Sequence, residues 1–173
     1  MKLRLKSLSG IFLAMAVLAT ITLLPGGTAT AATYDNSCWK YKKSERRFAR
    51  LINNSRSDLG GLGKLKLDPE LSRVAKKQAR DMAKQGRIFH SPTTRLQNRI
   101  TNWLTLGENV GVGSTARSLH KAFMASPTHE ANILGPSYRN VGVFTVKRDG
   151  RLWVVVIFEG LQNPGTTFKM PTC

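Results

Sequence analysis

The sequence has few acidic residues and few histidines, and both shortages limit the catalytic and metal-binding functions it can have. Only 10 Asp and Glu stand against 27 Lys and Arg in 173 residues, which gives a net charge of +17. With so few acids and only three histidines, few catalytic or metal-ligating sets can be assembled. Seven prolines and 15 glycines exclude a collagen-like or low-complexity chain. The length predicts one domain with a substantial core, and the charge predicts attraction to polyanions.

No hydrophobic run in the sequence is long enough to cross a membrane. The run from Ile11 to Leu24 has 14 residues, whereas a spanning helix needs about 20. Three basic residues precede this run, and the small residues Ala29 and Ala31 follow a Pro-Gly-Gly break. This order predicts a secretory signal peptide over residues 1–31, with an uncleaved anchor as the alternative. Its removal takes the net charge from +17 to +14, and we expect a secreted, extracellular protein without a transmembrane segment.

The two cysteines, Cys38 and Cys173, lie near the two ends of the predicted mature chain. In an oxidising compartment such a pair predicts one disulfide that closes the chain. Free thiols and an intermolecular bridge are the alternatives. With the disulfide in place, residues 161–173 form a C-terminal loop that returns to an N-terminal segment, residues 32–44.

Hydrophobic periodicity predicts three main helices before any long strand. A first helix is expected to begin at Glu45, with Ser44 as its cap. Asp68-Pro69-Glu70 supplies a cap, a proline and an acid at the start of a second helix, which ends at Gly86. A third helix is expected from Ser114 to Ala125, followed by a short helical turn through Leu134. A short strand is expected between the first two helices, at residues 65–67.

The end of the chain has the period of β-strands. Apolar residues alternate from Val141, Asp149-Gly150 suits a type I′ turn, and a second strand runs from Leu152 to Phe158. Because both faces of this second strand are apolar, we expect it to be central and covered on both sides. The predicted fold is therefore α+β, a small antiparallel sheet with helices on both faces.

Three residues in separate segments have side chains suited to chemistry. Glu108 follows His90 by 18 residues, and His129 follows Glu108 by 21. Two imidazoles and a carboxylate brought together by folding can bind a divalent metal or act as an acid–base set. A structural role is the alternative for each residue taken alone. Because the sequence has neither HExxH nor Gly-x-Ser-x-Gly, it predicts neither a zinc-binding helix nor a nucleophile elbow.

Basic side chains recur along one face of the second predicted helix. Such a stripe can bind an anionic polymer, and a solvated helix face is the alternative. Teichoic acids and anionic lipid headgroups are the expected ligands, whereas nucleic acid is not expected because no recognition motif is present. The stripe consists of Arg73, Lys76, Lys77, Arg80 and Lys84, and Lys42, Lys43, Arg46 and Arg47 add further charge.

The order of these motifs resembles the CAP superfamily, also called the SCP domain, which includes cysteine-rich secretory proteins, antigen 5 and plant pathogenesis-related proteins. The bacterial secreted branch is the most similar, and the resemblance covers residues 45–160. The matching pieces are Glu45-x-x-Phe48-x-x-Leu51-Ile52-Asn53, Leu65-x-Leu67-Asp68-x-x-Leu71, Met82-Ala83-x-x-Gly86, His90-Ser91, Gly107-Glu108-Asn109-Val110, Ser126-Pro127-x-His129-x-x-Asn132-Ile133-Leu134 and Tyr138-x-x-Val141-Gly142-Val143.

The resemblance implies a three-layer α-β-α sandwich with a central cavity that holds two His and two Glu in the best-studied members. His90 matches the first His and Glu108 the first Glu. Ser126 stands where the second Glu is usual, and the Gly-His-Tyr-Thr-Gln block with the second His is absent. We expect His129 to enter the cavity in its stead and Asn109 to line it.

Three functions are compatible with the sequence. The preferred one is a non-catalytic extracellular binding module, with His90, Glu108 and His129 holding a divalent cation such as zinc. A metal-assisted hydrolase acting on a peptide or cell-wall bond is the first alternative. A basic protein that binds anionic polymers or lipids at the cell surface is the second. The resemblance adds sterols, other lipids and partner proteins to the expected partners.

Overall fold

The computed structural model describes residues 38–161, and the predicted signal peptide, the C-terminal loop and Cys173 lie outside the described residues. The Cys38–Cys173 disulfide therefore stays a prediction. The elements, in chain order, are α1 (Lys43–Gly60), β1 (Lys66–Leu67), α2 (Pro69–Gln85), α3 (Thr93–Arg99), β2 (Trp103–Gly113), α4 (Ala116–Met124), α5 (Pro127–Ile133), β3 (Asn140–Arg148) and β4 (Arg151–Leu161).

The described strands form one four-stranded sheet in the order β1-β3-β4-β2. The three long strands are antiparallel, as predicted, whereas the two-residue β1 pairs parallel with β3. Asp149 and Gly150 have φ values of 50° and 70°, and Arg148 pairs with Arg151. These values confirm the predicted type I′ turn. The order leaves β2 with a partner on one side only, so its outer edge is available to the functional site.

Helices cover both faces of this sheet. One face of β4 packs with α1, α4 and α5 through Leu152, Val154, Val156 and Phe158. The other face packs with α2 through Trp153, Val155 and Ile157. All seven side chains are at most 5% exposed, which confirms the central, doubly covered strand and the three-layer α+β fold.

Helix α2 follows its sequence signals closely. The Asp68 carboxylate accepts a hydrogen bond from the backbone N–H of Leu71 at 3.0 Å, Pro69 is the first helical residue, and Gly86 ends the helix with φ at 66°. Gly142 lets α2 approach the sheet because a Cβ at this position would collide with Leu71. The cap, the stop and the close approach together place the segment after α2 against β2.

The start of α1 differs from the prediction. The helix begins at Lys43, and the hydroxyl of Ser44 bonds to the Thr145 hydroxyl at 2.7 Å instead of capping. Glu45 reaches back to accept from the backbone N–H of Lys42 at 2.8 Å. The acid at the third helical position thus satisfies a terminal N–H, which is half of a capping box.

Strand β2 is the larger difference, because the sequence analysis assigns no strand to residues 103–113, where the structure has an 11-residue strand. Its glycines hide the alternation of side chains that identifies a strand. They also allow helices to lie close: a Cβ at Gly111 would lie 2.9 Å from Phe123 Cε1, and one at Gly113 would lie 3.0 Å from Leu119 Cδ2. Long strands are therefore not confined to the end of the chain.

Arg56 fixes the end of α5 relative to α1. Its side chain is almost fully buried, at 1% exposure for the residue. Nη1 donates to the carbonyls of Ile133 and Gly135 at 2.8 and 2.9 Å, and Nε donates to that of Gly63 at 2.9 Å. Burial lowers the pKa of this guanidinium. Arg56 thus satisfies carbonyls at the C-terminus of α5, the helix that carries His129.

Candidate functional site

Glu108 lies on the edge strand β2 and ties the segment after α2 to it. Its side chain is only 4% exposed. One oxygen accepts from His90 Nδ1 at 2.9 Å and from the Ser91 backbone N–H at 2.8 Å, and the other accepts from the Ser91 hydroxyl at 2.6 Å. Both carboxylate oxygens are therefore used within the protein, where they orient His90 and Ser91.

Asn109 performs the same task on the other face of β2, because successive residues of a strand point to opposite faces. Its amide nitrogen donates to the His129 carbonyl at 2.9 Å, and its oxygen accepts from the Asn132 amide at 2.9 Å. Tyr138 extends the chain of bonds to Asn132 at 3.4 Å. This partly buried network fixes α5 against the strand.

The His129 ring is held by two contacts. It stacks on Phe123 with centroids 4.9 Å apart and an interplanar angle of 29°. Its Nδ1 lies 2.9 Å from the hydroxyl of Ser126. Burial lowers the pKa of His129, and the charge of His90 lowers it further. The imidazole is therefore biased toward its neutral form, which can accept a proton, a hydrogen bond or a metal ion.

His90 and His129 reach the edge of β2 from opposite faces and lie within electrostatic reach of each other. His90 contacts Glu108 on one face, and the backbone of His129 contacts Asn109 on the other. The His90 side chain is 60% exposed. Each ring is anchored through Nδ1. The Nε2 atoms are therefore the ring atoms left for a ligand.

In the described residues, His90, Glu108 and His129 are not arranged as the predicted set of three metal ligands. Within residues 38–161, no group of three or more His, Cys, Asp or Glu side chains is arranged to hold a metal ion. Glu108 orients an imidazole, which is the role of a second-layer carboxylate in many metal sites. Metal binding itself stays a prediction.

The third histidine, His120, belongs to the scaffold. Its Nε2 lies 3.2 Å from the Ser55 hydroxyl, and its ring packs edge-on against Phe48. Burial lowers its pKa. His120 therefore joins α4 to α1, and its substitution is a suitable control for substitutions of the two site histidines.

Ser91 and Asn132 are the site residues that sequence reasoning did not place. Both belong to the motifs of the resemblance, but adjacency to His90 does not reveal that Ser91 bonds to Glu108. Likewise, the spacing from His129 does not reveal that Asn132 bonds to Asn109. Their contacts depend on β2, the strand that was not predicted.

The predicted basic stripe divides into two parts. Lys77 pairs with Asp81 at 2.9 Å, and Lys84 is exposed near the end of α2. Arg73, Lys76 and Arg80 instead line a concave region with Trp39 and Phe144. Lys42, which the sequence analysis grouped with the stripe, also lines this region, whereas the sequence did not indicate that Trp39 and Lys40 contribute to it.

The fold and the motifs match known proteins. The family model for the cysteine-rich secretory protein family, CAP, matches residues 49–158. The uncharacterized protein YkwD of Bacillus subtilis (strain 168) is 29% identical over 133 residues, covering 73% of this chain and 49% of that protein. The chain thus spans about half the length of that curated relative.

Two solved structures have the same fold. An outer surface protein from Borrelia burgdorferi has a TM-score of 0.64 at 21% identity, covering 72% of this chain and 98% of that one. An extracellular SCP-domain protein from Bacillus anthracis has a TM-score of 0.60 at 24% identity, covering 67% and 40%. In the part described here, residues 38–161, no helix combines the length and the apolar character of a membrane span.

Proposed function

The chain belongs to the cysteine-rich secretory protein (CAP) family, and from that premise we propose that it is a secreted, non-catalytic binding module. Its binding site is the His90–His129 pair at the edge of β2. The observation that carries this proposal is that each imidazole is anchored through Nδ1, to Glu108 or to Ser126, at 2.9 Å. Anchoring at Nδ1 fixes the tautomer and orientation and leaves Nε2 for a ligand.

A divalent cation such as zinc is the proposed occupant. The two Nε2 atoms would hold it, with Glu108 and Ser126 orienting the rings and water completing the coordination. Two protein donors are fewer than the three of catalytic zinc sites or the four of structural ones, so we expect weaker binding than in either. When bound, the ion would supply positive charge for attachment of an oxygen-bearing ligand. The depressed pKa of His129 supports this role because metal ligands must be unprotonated.

Secretion is part of the same proposal. The predicted signal peptide at residues 1–31 and the +14 charge that remains after its removal suit a protein that meets anionic cell-surface material. The outer-surface and extracellular proteins that share the fold add support.

Titration calorimetry of metal-stripped protein with zinc tests the proposal. The site variants are His90→Gln and His129→Gln, and His120→Gln is the matched control because it removes the scaffold histidine. We expect saturation near one ion per chain. Each site variant should weaken binding about tenfold or more, whereas the control should leave it unchanged. Absence of saturable binding, or equal weakening in all three variants, would contradict the proposal.

The same variants separate binding from hydrolysis. Turnover of a peptide or cell-wall polymer that is abolished in both site variants and kept in the control would favour the metal-assisted hydrolase instead. The hydroxyl of Ser91 donates to Glu108, so this serine is not arranged as a nucleophile activated by His90.

A further inference from the structure

A concave region lies on the α2 side of the sheet, and neither His90 nor His129 is among its lining residues. It encloses a volume of about 300 Å³. Its cationic members come from the segment before α1 and from α2, and its aromatic members come from the same segment and from β3. We call it the basic pocket; it is lined by Cys38, Trp39, Lys40, Lys42, Arg73, Lys76, Arg80 and Phe144.

The two aromatic rings form the base on which the cations are arranged. Trp39 and Phe144 meet edge to face with centroids 5.9 Å apart. Lys76 Nζ lies 5.5 Å from the Trp39 ring centroid, and the Arg80 guanidinium lies 6.0 Å from that of Phe144. Positive charges that lie next to one another repel. Cation–π attraction at these distances offsets this repulsion and keeps the charged groups close together.

Positive charge predominates at the surface of the pocket. Within residues 38–161, no acidic residue lines it. Lys42 is a partly neutralised member, because its Nζ lies 3.6 Å from Glu45 and donates to the Thr145 carbonyl at 2.7 Å. Lys77, on the same helix as Lys76 but outside the pocket, is paired with Asp81. A concave surface that concentrates cations in this way attracts a ligand that carries several negative charges.

We propose that the basic pocket binds the phosphodiester groups of an extracellular polyol phosphate chain. Arginine and lysine together suit phosphate oxygens, the first through its planar fork and the second as a point charge. A chain of phosphodiesters also supplies several anions at regular spacing, so that neighbouring cations can be engaged at once.

The same geometry disfavours two other phosphate-bearing ligands. Both rings have cations over them, so they are not free platforms on which the bases of a single-stranded nucleic acid could stack. A membrane surface is also disfavoured. Proteins that bind at a membrane interface usually insert exposed apolar side chains into it. The exposed large hydrophobic residues of the described chain, Leu59, Ile88 and Leu104, are not among those lining the pocket.

Binding of a short synthetic glycerol phosphate oligomer to the purified protein, measured by calorimetry, tests this proposal. The pocket variant is Lys40→Gln/Lys76→Gln/Arg80→Gln. The matched control is Arg50→Gln/Arg117→Gln/Lys121→Gln, which removes the same charge from exposed positions on α1 and α4, in the other helical layer. Thermal melting of both variants checks that each remains folded.

We expect the wild-type protein to bind the oligomer, and the pocket variant to bind it about tenfold more weakly or worse. The control variant should have a smaller effect on affinity, because salt screens the attraction between the oligomer and distant exposed charges. Equal weakening by both variants would indicate attraction to net charge alone and overturn the proposal. So would absence of oligomer binding. Tighter binding of a single-stranded oligonucleotide of equal charge, or binding to phosphatidylglycerol vesicles but not to the oligomer, would overturn the assigned ligand.

Discussion

The carboxylate of Glu108 connects the segment after α2 to the edge strand of the sheet. It accepts three hydrogen bonds while 4% exposed, two from Ser91 and one from His90. Replacing one oxygen by an amide nitrogen places a donor against a donor and leaves a buried group unsatisfied. We therefore expect Glu108→Gln to lower the free energy of unfolding by about 1–3 kcal/mol, measured by urea denaturation.

Glu130→Gln is the matched control because this acid lies on α5, next to His129, and is only partly buried. We expect its effect to stay within about 0.5 kcal/mol, as for most partly exposed substitutions. Equal stabilities of the wild type and Glu108→Gln would show that the three hydrogen bonds do not hold this segment in solution.

Some individual side chains of the site were predictable and their bonding partners were not. His90, Glu108 and His129 were proposed from residue type and motif order, and the structure brings the three to one edge of the sheet. The function of Glu108 as an acceptor for Ser91, instead of a ligand, depends on which face of β2 it occupies. A motif fixes neither that face nor the register, so this part of the site required the structure.

At the scale of elements, the close approach of α4 to β2 controls the position of His129. A Cβ on Gly111 would lie 2.9 Å from Phe123 Cε1 and 3.2 Å from Leu119 Cδ2. Both side chains are buried, and Phe123 stacks on His129. We expect Gly111→Ala to cost about 1–3 kcal/mol of stability, as overpacking in cores does. It should also shift the His129 ring resonances in NMR spectra.

Gly63→Ala provides the matched glycine control. A Cβ at this position meets no heavy atom within 4 Å, so the change should be neutral or stabilising by up to about 1 kcal/mol. If Gly111→Ala were equally neutral and left the His129 resonances in place, the packing of α4 on β2 would not be what positions that ring.

The same glycines explain why one element escaped prediction while others did not. Helix α2 has a cap, a proline and a terminal glycine in the expected order, and β4 has apolar residues on both faces, so each is identifiable from local pattern. Strand β2 has Gly107, Gly111 and Gly113 facing helices, where small size serves packing and removes the apolar alternation. Its strand character comes from pairing with β4 along its length, which is a tertiary property.

At the scale of the whole molecule, a buried acid on β4 and the histidines change the stability with pH in opposite directions. Glu159 is 2% exposed, and one of its oxygens accepts from Asn140 at 3.0 Å. Burial raises the pKa of Glu159 to about 7, the Asn140 hydrogen bond opposes the rise, and the charges of Asp68 and Glu70 add to it. The folded protein therefore holds a proton on Glu159 that the unfolded chain loses near pH 4.5.

The sign of the resulting pH dependence follows from proton linkage. Between about pH 4.5 and 7 the folded state binds more protons at Glu159, so this group's contribution to stability is complete below 4.5 and is lost as the pH rises through 7. His120 and His129 act in the opposite direction. Their pKa values are lowered from 6.5, so their contribution is present above 6.5 and declines as the pH falls.

Glu159→Gln separates these opposing effects because the histidines are the same in both proteins and cancel in the difference. The variant cannot ionise, so we expect it to exceed the wild type by about 3 kcal/mol at pH 8, the value that corresponds to a pKa raised from 4.5 to about 7, and to match it near pH 4.5. Urea denaturation across this range measures the difference, with Glu130→Gln as an acid-to-amide control. A difference that stays constant with pH would mean that Glu159 does not bind its proton more tightly in the folded molecule.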